Sequence, residues 1–204
     1  MKGKFITFEG SEGSGKSTQS KLLCAYLKKK GYRVIFLREP GGTKISEKIR
    51  QILLDNKNDG MSAESEMLLY MAARAQLVRE IILPALKKGK IIICDRFLDS
   101  TLAYQGYGLG LDIEAIKYIG RLATLGLKPD LTIFLDLAIE KGLMHRKFKE
   151  DRIEKRALSY HSRVRKGYLS LAAQEPQRIK IVKVQRDRRE TQANILRLIE
   201  KHVI

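Results

Sequence analysis

The stretch FEGSEGSGKSTQ, residues 8–19, follows the apolar run KFITF at residues 4–8. It places three glycines, a lysine, several hydroxyls and two acidic residues where a buried strand has just ended. Glycine is costly in regular structure and an unpaired lysine is costly to bury. A polyanionic ligand accounts for both. The spacing Gly10-x4-Gly15-Lys16-Ser17 is that of a phosphate loop. Its glycines let successive backbone N–H groups turn inward onto phosphate oxygens, and the helix beginning near Lys16 offers its positive end to the same anion. Lys16 is expected to reach the outer phosphates and Ser17 to hold a magnesium ion. The nucleotide-binding set is therefore Gly10, Ser11, Glu12, Gly13, Ser14, Gly15, Lys16, Ser17 and Thr18.

The rest of the chain supplies the strand–loop–helix context. Strand-like runs recur at 4–8, 33–37, 90–94, 131–135 and 179–184. Helical patterns fall between them, at 16–30, 44–54, 62–88, 112–125, 138–149, 155–173 and 189–203, with a kink or boundary expected at Pro84. This alternation predicts an α/β fold, a parallel sheet with helices on both faces. Runs such as KIIIC and LTIFL are apolar throughout, as strands covered on both faces should be. Ligands of such sheets bind beyond the carboxyl ends of the strands. There the sequence places the phosphate loop, then REPGGT at 38–43, DRFLDS at 95–100, and Asp136.

With 204 residues, 44% of them apolar, the chain suits one domain with a sizeable core. It has no apolar run of about 18 residues, the length that would argue for a membrane span. Glu9 interrupts the one early apolar run, so no signal peptide is expected. Two isolated cysteines, Cys24 and Cys94, fit a reducing cytoplasm. The net charge of +17 raises nucleic-acid binding as a possibility. The lysines are spread along the whole chain without an aromatic-interleaved patch, so a basic solvated surface is the preferred reading and no nucleic-acid partner is expected.

NKND at 56–59 matches a guanine-reading tetrapeptide, but it follows a helix end instead of a late strand, and the chain contains no Asp-x-x-Gly. A surface turn is the better reading. A small-molecule kinase fits more closely. Asp95, at the end of IIICD, can hold magnesium or its waters, and the planar fork of Arg96 suits a second phosphate. The segment HRKFKEDRIEKR at 145–156 carries Arg146, Lys147, Lys149, Arg152, Lys155 and Arg156. It is either a solvated helix face or a basic lid that closes over phosphates.

FEGSEGSGKSTQ, REPGGT, YMAARAQ, DRFLDSTLAYQG and DRIE, in this order, resemble thymidylate kinases over nearly the whole chain. The resemblance implies a five-stranded parallel sheet of the P-loop NTPase type, transfer of the ATP γ-phosphoryl to dTMP, magnesium, and a homodimer. It implies that Tyr70 stacks on thymine where relatives usually have phenylalanine, that Arg74 donates to a thymine carbonyl, and that Arg96 binds the acceptor phosphate. Thr101, Tyr104 and Gln105 would line the nucleoside pocket, with Tyr104 crowding the sugar 2′ position. Glu12 would lie near the 3′-hydroxyl, and Arg38 and Pro40 near the acceptor phosphate. Some relatives carry an arginine at the position of Gly13; here the basic residues would come from the lid. The catalytic set is then Lys16, Arg96, Arg146 and Arg152, with Ser17 and Asp95 on the metal. The lid arginines would be exposed, so their loss should barely alter stability. The alternatives are a deoxynucleoside kinase or another nucleoside monophosphate kinase.

Overall fold

The computed structural model describes residues 3–144 and 151–204. Strands β1 (Lys4–Glu9), β2 (Val34–Arg38), β3 (Ile91–Asp95), β4 (Leu131–Asp136) and β5 (Ile179–Lys183) form a parallel sheet in the order β2-β3-β1-β4-β5. The apolar runs at 90–94 and 131–135 are the two strands flanking β1, in register Ile6↔Ile93 and Ile6↔Leu131. Alternation along the strands feeds a core on each face. Ile6, Phe8, Ile91 and Ile93 pack with Leu23 and Leu27 of α1 (Lys16–Lys29) and Ile195 and Ile199 of α9 (Arg188–His202). Phe5, Ile92 and Cys94 face the other way, onto Leu77, Val78 and Ile82.

The remaining helices are α2 (Lys44–Leu54), α3 (Ala63–Leu77), α4 (Leu83–Lys87), α5 (Leu98–Thr101), α6 (Ile113–Thr124), α7 (Ile139–Met144) and α8 (Leu158–Gln174). Side-chain oxygens of Thr43, Ser62, Asp112 and Asp187 cap α2, α3, α6 and α9, satisfying N–H groups that a helix start leaves unpaired. The expected helix at 62–88 is interrupted by a π turn, Val78–Ile82, in which Leu83 N–H donates to Val78 O. Pro84 then falls in the first turn of α4, where its missing N–H costs little. NKND forms a short 3-10 turn after α2, as its reading as a surface turn requires.

One element is absent from the sequence reading. Residues 98–108 form α5 followed by a π-helical stretch, Leu102–Gly108. LDSTLAYQGYG is rich in Ser, Thr and Gly, which favour helices weakly. Burial against α8 decides the matter: Gly108 lies against Tyr160 and Val164, and Gly167 against Tyr107, with no room for a Cβ.

Candidate active site

The carboxyl ends of β1, β2 and β3 open into a cleft of about 580 Å³. Its walls contain most of the residues singled out in the sequence: Glu12, Gly13, Gly15, Lys16, Ser17, Thr18, Arg38, Pro40, Tyr70, Asp95, Arg96, Thr101, Tyr104 and Gln105. Gly10, Ser11 and Ser14 belong to the loop behind that wall.

At the phosphate loop, Gly13 and Gly15 have φ of 71° and 85°, values that L side chains rarely adopt. A Cβ on Gly13 would lie 1.9 Å from Gly142 O on α7. An arginine at this position is therefore sterically barred. Helix α1 starts on Gly15 with no side-chain cap and no acidic residue in its first turn, which leaves its leading N–H groups for an anion. Lys16 Nζ curls back to donate to Ser11 O at 2.8 Å and Ser14 Oγ at 3.5 Å. Burial lowers its pKa, as does Arg96, against the opposing pull of Glu12 and Asp95.

Ser17 Oγ donates to Asp95 Oδ2 at 2.5 Å. The pair supplies a hydroxyl and one carboxylate, hard oxygen donors suited to magnesium. Among the described residues no group of three or more His, Cys, Asp or Glu side chains could hold a metal. A magnesium ion fits Ser17 and Asp95 when substrate oxygens and waters complete its shell, as such ions usually bind.

Arg96 is the hub of the cleft. It is one of two described non-glycine residues with positive φ, at 72°, a conformation that persists where surroundings over-determine it. Arg96 N–H donates to Phe8 O at 2.9 Å, and Phe97 N–H to Glu9 Oε1 at 2.7 Å. The guanidinium donates to Gly10 O (3.1 Å), Tyr104 OH (3.0 Å), Ser100 Oγ (3.2 Å) and Tyr168 OH (3.3 Å). It also forms an ion pair with Glu12. Burial alone would raise the Glu12 carboxyl, but Arg96 and Lys16 together hold it down to about 2.

Sequence reasoning missed Glu9 and Arg50. Glu9 entered only as a break in an apolar run; it is a buried carboxylate that also accepts from Ser100 Oγ (2.6 Å) and Tyr168 OH (2.9 Å). Burial, then Asp99, raises it to about 7. Its place at the end of β1, inside the quoted motif, was the available signal. Arg50, on α2, lines the cleft and donates to Pro40 O at 3.0 Å, beside Arg38, which donates to the same oxygen at 2.9 Å and pairs with Glu47.

Arg74 is not in the cleft wall, nor is it a surface residue. It is 1% exposed, with Nε on Glu39 Oε2 at 2.8 Å, Nη1 on Thr101 Oγ1 at 3.0 Å and Nη2 on Phe97 O at 2.9 Å. It lies behind Thr101, whose hydroxyl it fixes. Arg146, Lys147 and Lys149 lie outside the described residues. Arg152 departs from the expectation of an exposed lid cation: it is buried, donating to Leu53 O at 3.0 Å and Glu66 Oε2 at 2.5 Å. Arg156 donates to the same carboxylate at 2.7 Å, while Lys155 is exposed. Glu66 is fully buried on α3, and a buried carboxylate needs counter-charge; that need draws both arginines inward.

A family model described as thymidylate kinase matches residues 8–195. The chain is 47% identical to the thymidylate kinase of Thermoanaerobacter sp. (strain X514) over the whole of both proteins. It is 52% identical to that of Symbiobacterium thermophilum, over 97% of this chain and 92% of the relative. Among solved structures, the crystal structure of thymidylate kinase from Ehrlichia chaffeensis superposes with a TM-score of 0.81 at 35% identity, covering 97% of this chain and 98% of that one.

Proposed function

The chain belongs to the thymidylate kinase family, and we propose that its cleft seats dTMP with the base by Tyr70 and Gln105 and the acceptor phosphate at Arg96. ATP would lie with its phosphates on the loop around Lys16. The reaction is γ-phosphoryl transfer from ATP to dTMP, giving dTDP for dTTP synthesis. The observation that carries the assignment of sites is Arg96. It stands between the phosphate loop and the aromatic end of the cleft, its backbone and guanidinium both fixed before any substrate arrives.

The acceptor is a phosphate monoester with a second pKa of about 6, so its oxygen is mostly ionised at neutral pH. No general base is required. Glu12, held at about 2, is a poor base at neutral pH and instead balances Arg96. What remains is bringing two polyanions together, a matter of positioning and charge neutralisation. Lys16 would leave its bonds within the loop to meet the outer phosphates. Arg96 would exchange part of its contact with Glu12 for the acceptor phosphate, its direction kept by Gly10 O, Ser100 and Tyr168. Tyr104, fixed by Arg96 and Glu12, would wall the sugar. Magnesium, held by Ser17 and Asp95, would supply further charge neutralisation on the phosphates. Arg38 and Arg50 would face the acceptor phosphate from the Pro40 side, and Arg146 would add a cation over the transferring group. Arg152 supports this only indirectly, by holding the base of its segment on Glu66.

A coupled ADP-release assay across nucleoside monophosphates, thymidine and DNA tests the reading. dTMP should be the preferred acceptor. Turnover of thymidine above dTMP, or hydrolysis that depends on DNA, would overturn it. We further propose a cytoplasmic homodimer joined through α3 and α6, which pack together. Leu68 is 51%, Tyr118 77% and Leu122 73% exposed, and exposed apolar patches of this kind mark interfaces. Leu122→Glu should shift the species seen by light scattering to half the mass. Among the described residues, no helix is long and apolar enough to cross a membrane.

A further inference from the structure

Gln105 sits on the π-helical stretch with its side chain 2% exposed and lines the cleft. Its Nε2 donates to Glu66 Oε1 at 2.8 Å. Glu66, fully buried one turn before Tyr70 on α3, is bridged by two guanidiniums, Arg152 at 2.5 Å and Arg156 at 2.7 Å. A carboxylate only accepts hydrogen bonds, whereas an amide has a donating and an accepting end. The carboxylate therefore decides which way the amide faces. Reversed, the Gln105 carbonyl would meet the Glu66 carboxylate oxygen to oxygen in a buried site.

We infer that Glu66 is a specificity-determining positioning residue: it fixes the Gln105 amide with its carbonyl left for the ligand, so the base pocket selects pyrimidines with an N3–H donor and rejects cytosine. This rests on the thymidylate reading of the cleft. Thymine and uracil carry a hydrogen on N3; cytosine presents a lone pair there. A carbonyl facing that lone pair leaves two acceptors opposed without a proton, and buried polar groups left unpaired are the strongest source of discrimination between similar ligands. The arginines matter because they hold the carboxylate in place and balance its charge.

The test is kcat/KM for dTMP, dUMP and dCMP in the intact enzyme and in Glu66→Gln. Glutamine at this position can donate or accept, which frees Gln105 to turn. The preference for dTMP over dCMP should fall by about tenfold or more, the scale of one unpaired buried hydrogen bond. The dUMP-to-dTMP ratio should stay within about twofold, since both carry N3–H, and the KM for ATP should not change. A merely structural role for Glu66 would lower all three substrates together. Should the substitution leave an excess buried charge that prevents folding, Glu66→Gln with Arg156→Gln restores the balance and should give the same change in ratio. A folded variant that keeps the wild-type dTMP-to-dCMP ratio overturns the inference. A wild-type enzyme that fails to use dTMP refutes the functional reading instead, and the two outcomes are separable in one experiment.

Discussion

Arg74→Ala separates a substrate contact from a structural one. The guanidinium is 1% exposed and its partner Glu39 3%, joined at 2.8 Å. Removing one member of a buried ion pair costs about 3–5 kcal/mol, because the other charge is left uncompensated. Glu39 softens this by taking up a proton. Burial already raises its pKa from the ordinary 4.5 to about 7, against the pull of Arg74; without Arg74 it rises further. Between 4.5 and 7 the folded protein binds more protons at this site than the unfolded chain, so stability falls with pH there in both proteins. Above 7 only the variant continues to lose stability, by up to about 1.4 kcal/mol per pH unit. At pH 6 the cost should shrink to the lost bonds to Thr101 and Phe97 O, about 1–3 kcal/mol. Urea unfolding at pH 6.0 and 8.5 gives both values. A destabilisation below about 1 kcal/mol at both pH values, with dTMP affinity alone reduced, would refute the buried-pair account and return Arg74 to the thymine edge.

Arg152→Ala should destabilise the fold by about 1–3 kcal/mol in chemical denaturation, because Glu66 and Leu53 O lose a buried donor while Arg156 remains; a change within error would restore the exposed-lid reading. Gly13→Ala should raise the KM for ATP and lower kcat, since the new Cβ meets Gly142 O at 1.9 Å; unchanged kinetics would show that α7 yields. Glu12→Gln should flatten the acid limb of the stability curve between pH 4.5 and 2, where the folded carboxylate stays ionised after the unfolded one has protonated; an unaltered limb in acid titration followed by circular dichroism would count against the Arg96 pair. Arg146→Ala should lower kcat by about 10³ with little change in stability, and near-normal turnover would remove this residue from the catalytic set.

How much was legible follows from where each residue's partner lies. The strands and the phosphate loop could be read because their signals are local: doubly buried runs, and glycines spaced for one turn. The π-helical stretch at 102–108 could not, because Ser, Thr and Gly disfavour helix locally and the packing of α8 overrides them. Its site residues Thr101, Tyr104 and Gln105 are placed in the nucleoside pocket by the resemblance of DRFLDSTLAYQG to thymidylate kinases, not by any local helical signal. Charge was the least legible property. Glu39 and Arg74 are separated by 35 positions, Glu66 and Arg152 by 86. Nothing within either segment distinguishes a buried arginine with a distant carboxylate from one on a solvated face.

The described cleft carries little net charge of its own. Its walls carry the cations Lys16, Arg38, Arg50 and Arg96, and the carboxylates Glu12, Glu39, Asp95, Asp151 and Glu154. Counting Glu39 against Arg74, its buried partner behind the wall, four cations face four carboxylates. Such a cleft is close to neutral, yet in the proposed reading it accepts a nucleoside triphosphate beside a phosphate monoester. Ion pairs explain how four cations can stand together: Glu12 of the wall on Arg96, and Glu47 outside it on Arg38, limit the repulsion. They do not explain how two polyanions are then held within reacting distance. That demands positive charge beyond the described wall, and two sources fit the chemistry. One is a divalent ion at Ser17 and Asp95, which would also offset the Asp95 carboxylate. The other is the segment at 145–156, whose Arg152 and Arg156 pair with Glu66 and whose other basic residues are Arg146, Lys147, Lys149 and Lys155. The steric bar at Gly13 gives this division its reason: a loop packed backbone to backbone against α7 has no room there for a second cation beside Lys16, so in the proposed reading the further charge comes from outside the loop.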